Sequence, residues 1–357
     1  MNSLKLTLLS GKVVYRNQIN EFNELKQFCG FTDGEVCQFS GGCLNYKTAV
    51  KNRHIECIRK DDFQIAFLFA CNRGCFQIVK SLVSLKLVDP GCDDNSGIIL
   101  ASCNGHLDTV KFLSEFDSVN PGADNNVAFI SACTEGHLDV VEFLAPLDSV
   151  DPGANNNEAF ISACTECHLD IVEFLAPLDL VDPGANNNDG FIKACEHGNL
   201  KVTEFLATVD SVDPSDQNNN AFMVACCNGH IEIVKFLTKL LSNSLNPYYS
   251  VGFVNACNTG KLKVVKFLSK LSVVNPGIAG NAAFVWACVG EHTNVAEFLS
   301  ELSSVDPEDQ NNLAFRMACQ LGKHRSIRFL LTLELTGIDE YYREYRSSYP
   351  SFGFGGR

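Results

Sequence analysis

A period of 31 residues is the feature that most constrains how this chain of 357 residues can fold. From Cys133 to Cys319 a cysteine recurs at every thirty-first position, and stepping back from Cys133 leads to Ser102 and then to Cys71. Self-similarity at a fixed period of roughly 20–50 residues is the signature of architectures built by stacking one supersecondary unit. We therefore predict nine copies of a 31-residue repeat over residues 62–340.

Other residue types keep the same period. An alanine precedes each cysteine position, a glycine follows three residues after it in seven of the nine copies, and a histidine follows four residues after it in five. Four residues before the cysteine position lies a phenylalanine, replaced by isoleucine only at Ile98. Large apolar residues that repeat in this way are predicted to form the core. These phenylalanines are Phe67, Phe129, Phe160, Phe191, Phe222, Phe253, Phe284 and Phe315.

Each repeat is predicted to contain two short helices. Asn126 is placed to cap a first helix by accepting hydrogen bonds from its unpaired amides, and Gly136 is placed to end that helix, since glycine adopts positive φ without strain. A second helix starts at His137, and Asp151-Pro-Gly returns the chain. Such short helices are unstable alone, so each repeat must pack on its neighbours. The repeated histidines are expected to form hydrogen bonds between adjacent loops.

The run from Ala132 to Leu144, Ala-Cys-x-x-Gly-His-Leu-x-Val-Val-x-Phe-Leu, resembles the ankyrin repeat, and it recurs nearly unchanged at 163–175 and 225–237. This resemblance implies an all-α fold, an α-solenoid of stacked helix-turn-helix repeats that binds a partner protein. The copies depart from the family, because they have 31 residues rather than about 33. We therefore expect the outer loop to project differently from that of the family.

Composition and charge limit the classes of partner. The chain has 28 Lys and Arg against 42 Asp and Glu, a net charge of −14, whereas duplex-DNA binders need cationic surface. No apolar run reaches the roughly 18 residues of a membrane span, and the N-terminal residues are too polar for a secretory signal. We therefore expect a monomer with a protein partner, no nucleic acid and no membrane span.

The 17 cysteines raise the possibility of disulfides, metal binding or thiol chemistry. Eight of them occupy the repeating position in successive layers, which lie roughly 10 Å apart, beyond the about 7 Å between Cα atoms that a disulfide tolerates. Free thiols indicate a reducing compartment, the cytoplasm, or a host cytosol if the protein is a secreted effector. Near the N-terminus, the spacing of Cys29, Cys37, Cys43, His54 and Cys57 matches no common zinc module. We expect no cofactor, no metal and no catalytic residue.

Variation between the copies indicates where a partner would bind. Three variable positions of the first helix lie at i, i+3 and i+4, and therefore on one face. In a stack of repeats this face is expected to form the concave wall that such folds use for binding. We call it the first-helix stripe. Its predicted partner-binding residues are Ser131, Glu135, Ser162, Glu166, Lys193, His197, Val224, Asn228, Asn255, Thr259, Trp286, Val289, Met317 and Leu321.

Trp286 is the only tryptophan of the chain. It either fills a gap between the last two repeats or anchors a partner, since tryptophan is enriched among the residues that dominate binding energy. Amide-rich loop tips at 155–157, 186–188 and 217–220 are predicted to add a rim suited to hydrogen bonding.

The two ends lack the full repeat. Residues 1–61 are predicted to form a capping region with a degenerate helix pair. Residues 341–357 are predicted to be a disordered tail, or alternatively a motif that docks on a partner or folds back onto the last repeat. The function predicted for the whole chain is a non-catalytic interaction scaffold. The alternatives are an adaptor or secreted host-directed effector whose terminal segments recruit a second protein, and, less favoured, a metal- or thiol-dependent activity in the N-terminal region.

Overall fold

The computed structural model describes residues 63–241, 245 and 248–349, together with the backbone of residues 8–9 and 12–13. Two strands, β1 (Leu8–Leu9) and β2 (Lys12–Val13), pair antiparallel, with Leu8 opposite Val13 and Leu9 opposite Lys12. The rest of the predicted capping region 1–61 lies outside the described residues, as do its cysteines and His54, so that region stays a prediction.

The described residues from 63 onward contain nineteen helices, arranged as nine pairs followed by one further helix. In each pair the first helix has an odd number and the second an even number. This arrangement confirms the predicted all-α fold. The helices are α1 (Phe63–Asn72), α2 (Phe76–Ser84), α3 (Cys92–Cys103), α4 (Leu107–Ser114), α5 (Ala123–Glu135), α6 (Leu138–Leu144), α7 (Ala154–Glu166), α8 (Leu169–Leu175), α9 (Ala185–His197), α10 (Leu200–Leu206), α11 (Asp216–Asn228), α12 (Ile231–Leu240), α13 (Tyr249–Asn258), α14 (Leu262–Leu268), α15 (Ile278–Val289), α16 (Thr293–Ser300), α17 (Asp309–Gln320), α18 (His324–Leu331) and α19 (Asp339–Ser348).

The chain divides into two compact units, residues 1–186 and 187–357. In the first unit, α1, α3, α5 and α7 pack in chain order, and α2, α4, α6 and α8 form a second row. In the second unit the same two rows run from α11 to α19 and from α10 to α18. Within each unit these helices pack against their equivalents in the neighbouring repeats, which is the nearest-neighbour packing of an α-solenoid.

The predicted core positions are buried. The eight phenylalanines of the repeating position are at most 1% exposed, and the eight cysteines of theirs are at most 8% exposed. The second helices are amphipathic: α6 buries Val140, Val141 and Leu144 and exposes Asp139 and Glu142. Both helices of a repeat therefore contribute apolar faces to the core of their unit.

The repeated histidines link consecutive repeats, as predicted. The Nε2–H of His168 donates to the carbonyl of Thr134, 34 residues earlier, at 3.0 Å, and a carbonyl can only accept. The His168 ring also covers Gly136, whose φ of 82° ends α5 as predicted. A Cβ added at Gly136 would lie 2.4 Å from Cε1 of that ring. Equivalent bonds join His106 to Asn72, His137 to Cys103, His230 to Glu196 and His292 to Asn258.

The prediction that the repeated asparagines cap their own helices is wrong. Asn126 lies in the left-handed region, with φ of 65°, and no side chain caps the start of α5. Its Oδ1 instead accepts the backbone N–H of Asp151, 25 residues later, at 2.9 Å. Asparagine suits this position because it tolerates left-handed backbone while its amide oxygen satisfies a donor of the next loop. Equivalent bonds join Asn157 to Asp182, Asn188 to Asp213 and Asn281 to Asp306.

Replacing Asn126 with alanine is expected to lower the free energy of unfolding by about 1–3 kcal/mol, because the partly buried N–H of Asp151 loses its acceptor. Asn125→Ala is the matched control, since Asn125 is exposed and also left-handed, with φ of 55°. Urea denaturation followed by circular dichroism measures both. An equal loss in the two variants would mean that backbone conformation, and not the hydrogen bond, determines the cost.

The segment predicted to be a disordered tail is instead helical over residues 341–348. These residues belong to α19, and Tyr345 is only 2% exposed, with its hydroxyl hydrogen-bonded to Nδ1 of His324. The ring of Tyr342 meets Phe315 edge-on at 6.4 Å, and α19 packs on α17. This helix therefore occupies the place of the first helix of a further repeat, which agrees with the fold-back alternative. Residues 350–357 lie outside the described part of the chain.

Candidate functional site

The first-helix stripe of the first unit lies on α5 and α7. Glu135 and Ser162 are partly exposed and Glu166 is exposed. Ser131 differs, because it is only 4% exposed. Its burial corrects the expectation that every residue of the stripe offers an open surface.

A groove of about 210 Å³ follows this face of α5 and is bounded by α3 and α7. Its floor includes Ile130 and Ser131, which are both buried. Because the groove combines residues of three consecutive repeats, the periodicity of the sequence alone does not reveal it. The lining residues are Cys103 from α3, Asp124, Asn125, Val127, Ile130, Ser131, Thr134 and Glu135 from α5, and Asn155 and Glu158 from α7.

The groove is acidic. Asp124, Glu135 and Glu158 contribute carboxylates, and no Lys, Arg or His side chain lines it. Among the described residues Asp124 and Glu135 have no hydrogen bond or ion pair, whereas Oε2 of Glu158 accepts a bond of 2.9 Å from the amide of Asn155. Burial, and next the charge of Glu135, raise the pKa of the Cys103 thiol to about 11. Glu135 and Cys103 of α3 line the same groove.

In the second unit, the polar part of the first-helix stripe is largely engaged in internal contacts. The ammonium of Lys193 lies 2.8 Å from the carboxylate of Glu196, and Nδ1–H of His197 donates to the carbonyl of Lys193 at 3.0 Å. The amide of Asn228 donates to the carbonyl of Glu196 at 3.1 Å. The Thr259 hydroxyl donates to the carbonyl of Asn255 at 2.9 Å. Val224, Asn255 and Thr259 are partly exposed.

The far end of the first-helix stripe is apolar and accessible. Trp286 is 45% exposed on α15, and Leu321 is 50% exposed directly after α17. Val289 and Met317 lie on the same two helices and are partly exposed, and α15 packs on α17. Trp286 therefore presents much of its indole ring to solvent and does not fill an interior gap.

The amide-rich loop tips divide into an outer and an inner part. Asn155 and Asn156 are exposed, but Asn157 is buried, with its oxygen bonded to the next loop. The amide of Asn186 donates to the carbonyl of Asn156 at 3.1 Å. Only the outer residues of each tip are thus available to a partner, and part of their hydrogen-bonding capacity is already used between loops.

Comparison with known families agrees with this architecture. A family model of ankyrin repeats in three copies matches residues 67–156, 98–189 and 160–246, which together span half of the chain. The chain belongs to the ankyrin repeat family. No curated protein matches it with significant similarity. Ankyrin repeats are generally non-catalytic modules of protein–protein interaction, so membership indicates an interaction role for this chain.

The loops of these ankyrin repeats have an unusual backbone. Asp124, Asn125 and Asn126 are three successive left-handed residues, and the same run of conformations precedes Glu158, Asn220 and Leu313 in other repeats. The amide oxygens of the repeated asparagines accept backbone N–H groups of the following loop, and these hydrogen bonds hold the turn in place. The left-handed residues thus lie in the outer loops, directly before the regular part of each first helix.

The thiols of the ankyrin repeats are suited to packing. All thirteen cysteines of the described residues are free, and burial raises the pKa of Cys195 and Cys319 to about 12. A high pKa suppresses the thiolate that nucleophilic and metal chemistry require. Within residues 63–349, as far as they are described, no group of His, Cys, Asp and Glu side chains is arranged to hold a metal ion. No helix in that part of the chain is long and apolar enough to cross a membrane.

Proposed function

We propose that this ankyrin repeat protein is a non-catalytic scaffold that binds a partner protein along the first-helix stripe. The observation that carries the proposal is the exposed apolar group of Trp286, Val289, Met317 and Leu321 on α15 and α17. Contiguous exposed apolar surface on a soluble protein marks an interaction site. Tryptophan is also the residue type most enriched among binding hot spots.

The rest of the first-helix stripe supports a division of roles. The apolar end supplies the area that a partner would remove from water, and in the same unit the exposed side chains of His197 and Asn228 add polar groups along the stripe. Apolar anchors combined with polar groups are typical of specific interfaces. We propose that the protein acts as a monomer in a reducing compartment such as the cytosol. The free, buried thiols support that location.

Trp286→Ala is expected to weaken partner binding by about 2 kcal/mol or more, because a hot-spot indole is lost. Affinity capture with the full chain, followed by mass spectrometry, identifies the partner, and titration with that partner gives the dissociation constant. The melting temperature of the variant should change little, since Trp286 is 45% exposed.

Leu180→Ala is the control, because Leu180 is also a large exposed apolar residue but lies outside the first-helix stripe. Its affinity for the partner should equal that of the wild type. If Trp286→Ala lowered the melting temperature and left the affinity unchanged, Trp286 would have a packing role and the stripe would lose its anchor.

A further inference from the structure

We propose that the groove on α5 binds a cationic side chain, lysine or arginine, from an extended segment of the partner protein. This proposal rests on the proposed function, because it specifies the chemistry of the partner at the first-helix stripe. It concerns the first unit, whereas the apolar anchor lies in the second, so the two can be tested separately.

Ser131 places a hydroxyl group on the floor of the groove. Ser131 is 4% exposed and lines the groove, yet among the described residues its hydroxyl has no hydrogen-bond partner. The serine side chain is closely packed, but its hydroxyl oxygen remains accessible from the groove. A ligand that donates a hydrogen bond can therefore reach it. The neighbouring Thr134 hydroxyl already donates to the carbonyl of Ile130 at 2.8 Å, which leaves its oxygen free to accept as well.

The carboxylates in the lining give the groove a negative charge. Glu135 and Asp124 are carboxylates without a cation among the described residues, and Glu158 is bound only by the neutral amide of Asn155. Glu135 also lies in the last turn of α5, where the helix dipole adds negative potential. An anion would be repelled at this place. A guanidinium or ammonium group offers several donors and no acceptor, which matches the carboxylate acceptors of Asp124 and Glu135.

Part of the groove lining is apolar. Val127, Ile130 and Cys103 line the groove together with the polar groups. Lysine and arginine bury their methylene stems on apolar surface and keep the charged head in polar surroundings. From Val127 to Glu135 the helix extends about 12 Å, which accommodates one such side chain and part of its backbone. The exposed amides of Asn125 and Asn155 lie at the rim, where they can bond to that backbone.

The test uses a neutral Gly-Ser peptide that carries three arginines at alternate positions, its lysine counterpart, and a counterpart with citrulline in place of arginine. Citrulline keeps the shape of arginine without its charge. Binding to the full chain is measured by fluorescence anisotropy at low salt. We expect the arginine and lysine peptides to bind and the citrulline peptide to bind at least roughly tenfold more weakly, since charged hydrogen bonds are lost.

Variants of the chain locate the binding. Glu135→Gln should weaken the arginine peptide roughly tenfold, and Ser131→Ala roughly three- to tenfold, because each removes one acceptor of a charged donor. Glu142→Gln is the matched control, because Glu142 is exposed on α6 and lies outside the groove lining. That variant should bind within about twofold of the wild type, since an exposed charge contributes little.

Two results would overturn the inference. If Glu142→Gln weakened binding as much as Glu135→Gln, the peptide would be attracted by the overall net charge of −14 and not by the groove. If the wild type bound neither cationic peptide, the groove would have a different role, while partner capture that depends on Trp286 would still support the proposed function. Conversely, if Glu135-dependent peptide binding persisted but Trp286→Ala left partner affinity unchanged, the groove proposal would stand and the anchor proposal would fail.

Discussion

Phe129→Ala is expected to lower the free energy of unfolding by about 3–5 kcal/mol, the range found when a buried phenylalanine is truncated. Phe129 is 0% exposed and lies on α5, which packs against both α3 and α7. The cavity left by the ring weakens contacts within its own repeat and with the repeats on either side. In a stack stabilised by nearest-neighbour contacts, we therefore expect the first unit to unfold at a lower urea concentration.

Phe143→Ala in the same repeat is the control for Phe129→Ala. Phe143 is partly exposed on α6, where the ammonium of Lys111 lies 5.7 Å from the centre of its ring. Truncating this ring leaves a space that water can enter, so the expected loss is about 1–2 kcal/mol. Urea denaturation of both variants measures the difference. Equal losses would contradict the assignment of the Phe129 position to the central core.

Gly136→Ala is expected to destabilise the chain by about 2 kcal/mol or more, for two separate reasons. Left-handed backbone costs a residue with a Cβ about 1–2 kcal/mol, and Gly136 has φ of 82°. The added Cβ would also lie 2.4 Å from the ring of His168, so the ring must move. Gly337→Ala isolates the first cost, because Gly337 has φ of 69° and no atom within 4 Å of the position of its Cβ.

A second substitution at His168 tests the contact between the ring and Gly136. In the double variant Gly136→Ala with His168→Asn, the smaller side chain removes the obstacle, and only the backbone cost and the lost bond to Thr134 remain. The double variant should therefore be more stable than the sum of the single losses predicts, by about 1 kcal/mol. Purely additive losses would show that the imidazole ring does not restrict the glycine.

The parts of the fold that follow from local sequence were predicted. The 31-residue period required each copy to have the same structure, and helix, turn and core positions depend on residues close together in the sequence. The prediction of buried phenylalanines and free cysteines succeeded for this reason. The histidine bonds were also predictable, because a residue type that recurs in a fixed position beside every loop must serve the packing of that loop.

Features that depend on contacts between repeats were missed. Asn126 has the residue type of a helix cap, and only its left-handed backbone and the N–H of Asp151 reveal its role. The groove and the burial of Ser131 depend on the neighbouring helices α3 and α7. In the last helix, Tyr345 follows Phe315 by 30 residues and not 31, so the strict 31-residue period does not predict that Tyr345 is buried.

The glycines of the repeating position lie against a side chain that follows in the next layer of the stack. This contact restricts how repeats can be exchanged by recombination of the gene. Gain or loss of a repeat outside the two that contain Gly260 and His292 leaves that pair intact, because its residues lie in adjacent repeats. Glu291, with φ of 58°, takes the glycine position in the next repeat, and the residue 32 positions later is Lys323. A crossover that placed a histidine-bearing repeat directly after Glu291 would force an imidazole against a side chain. The residue at the glycine position therefore limits which repeat can follow it.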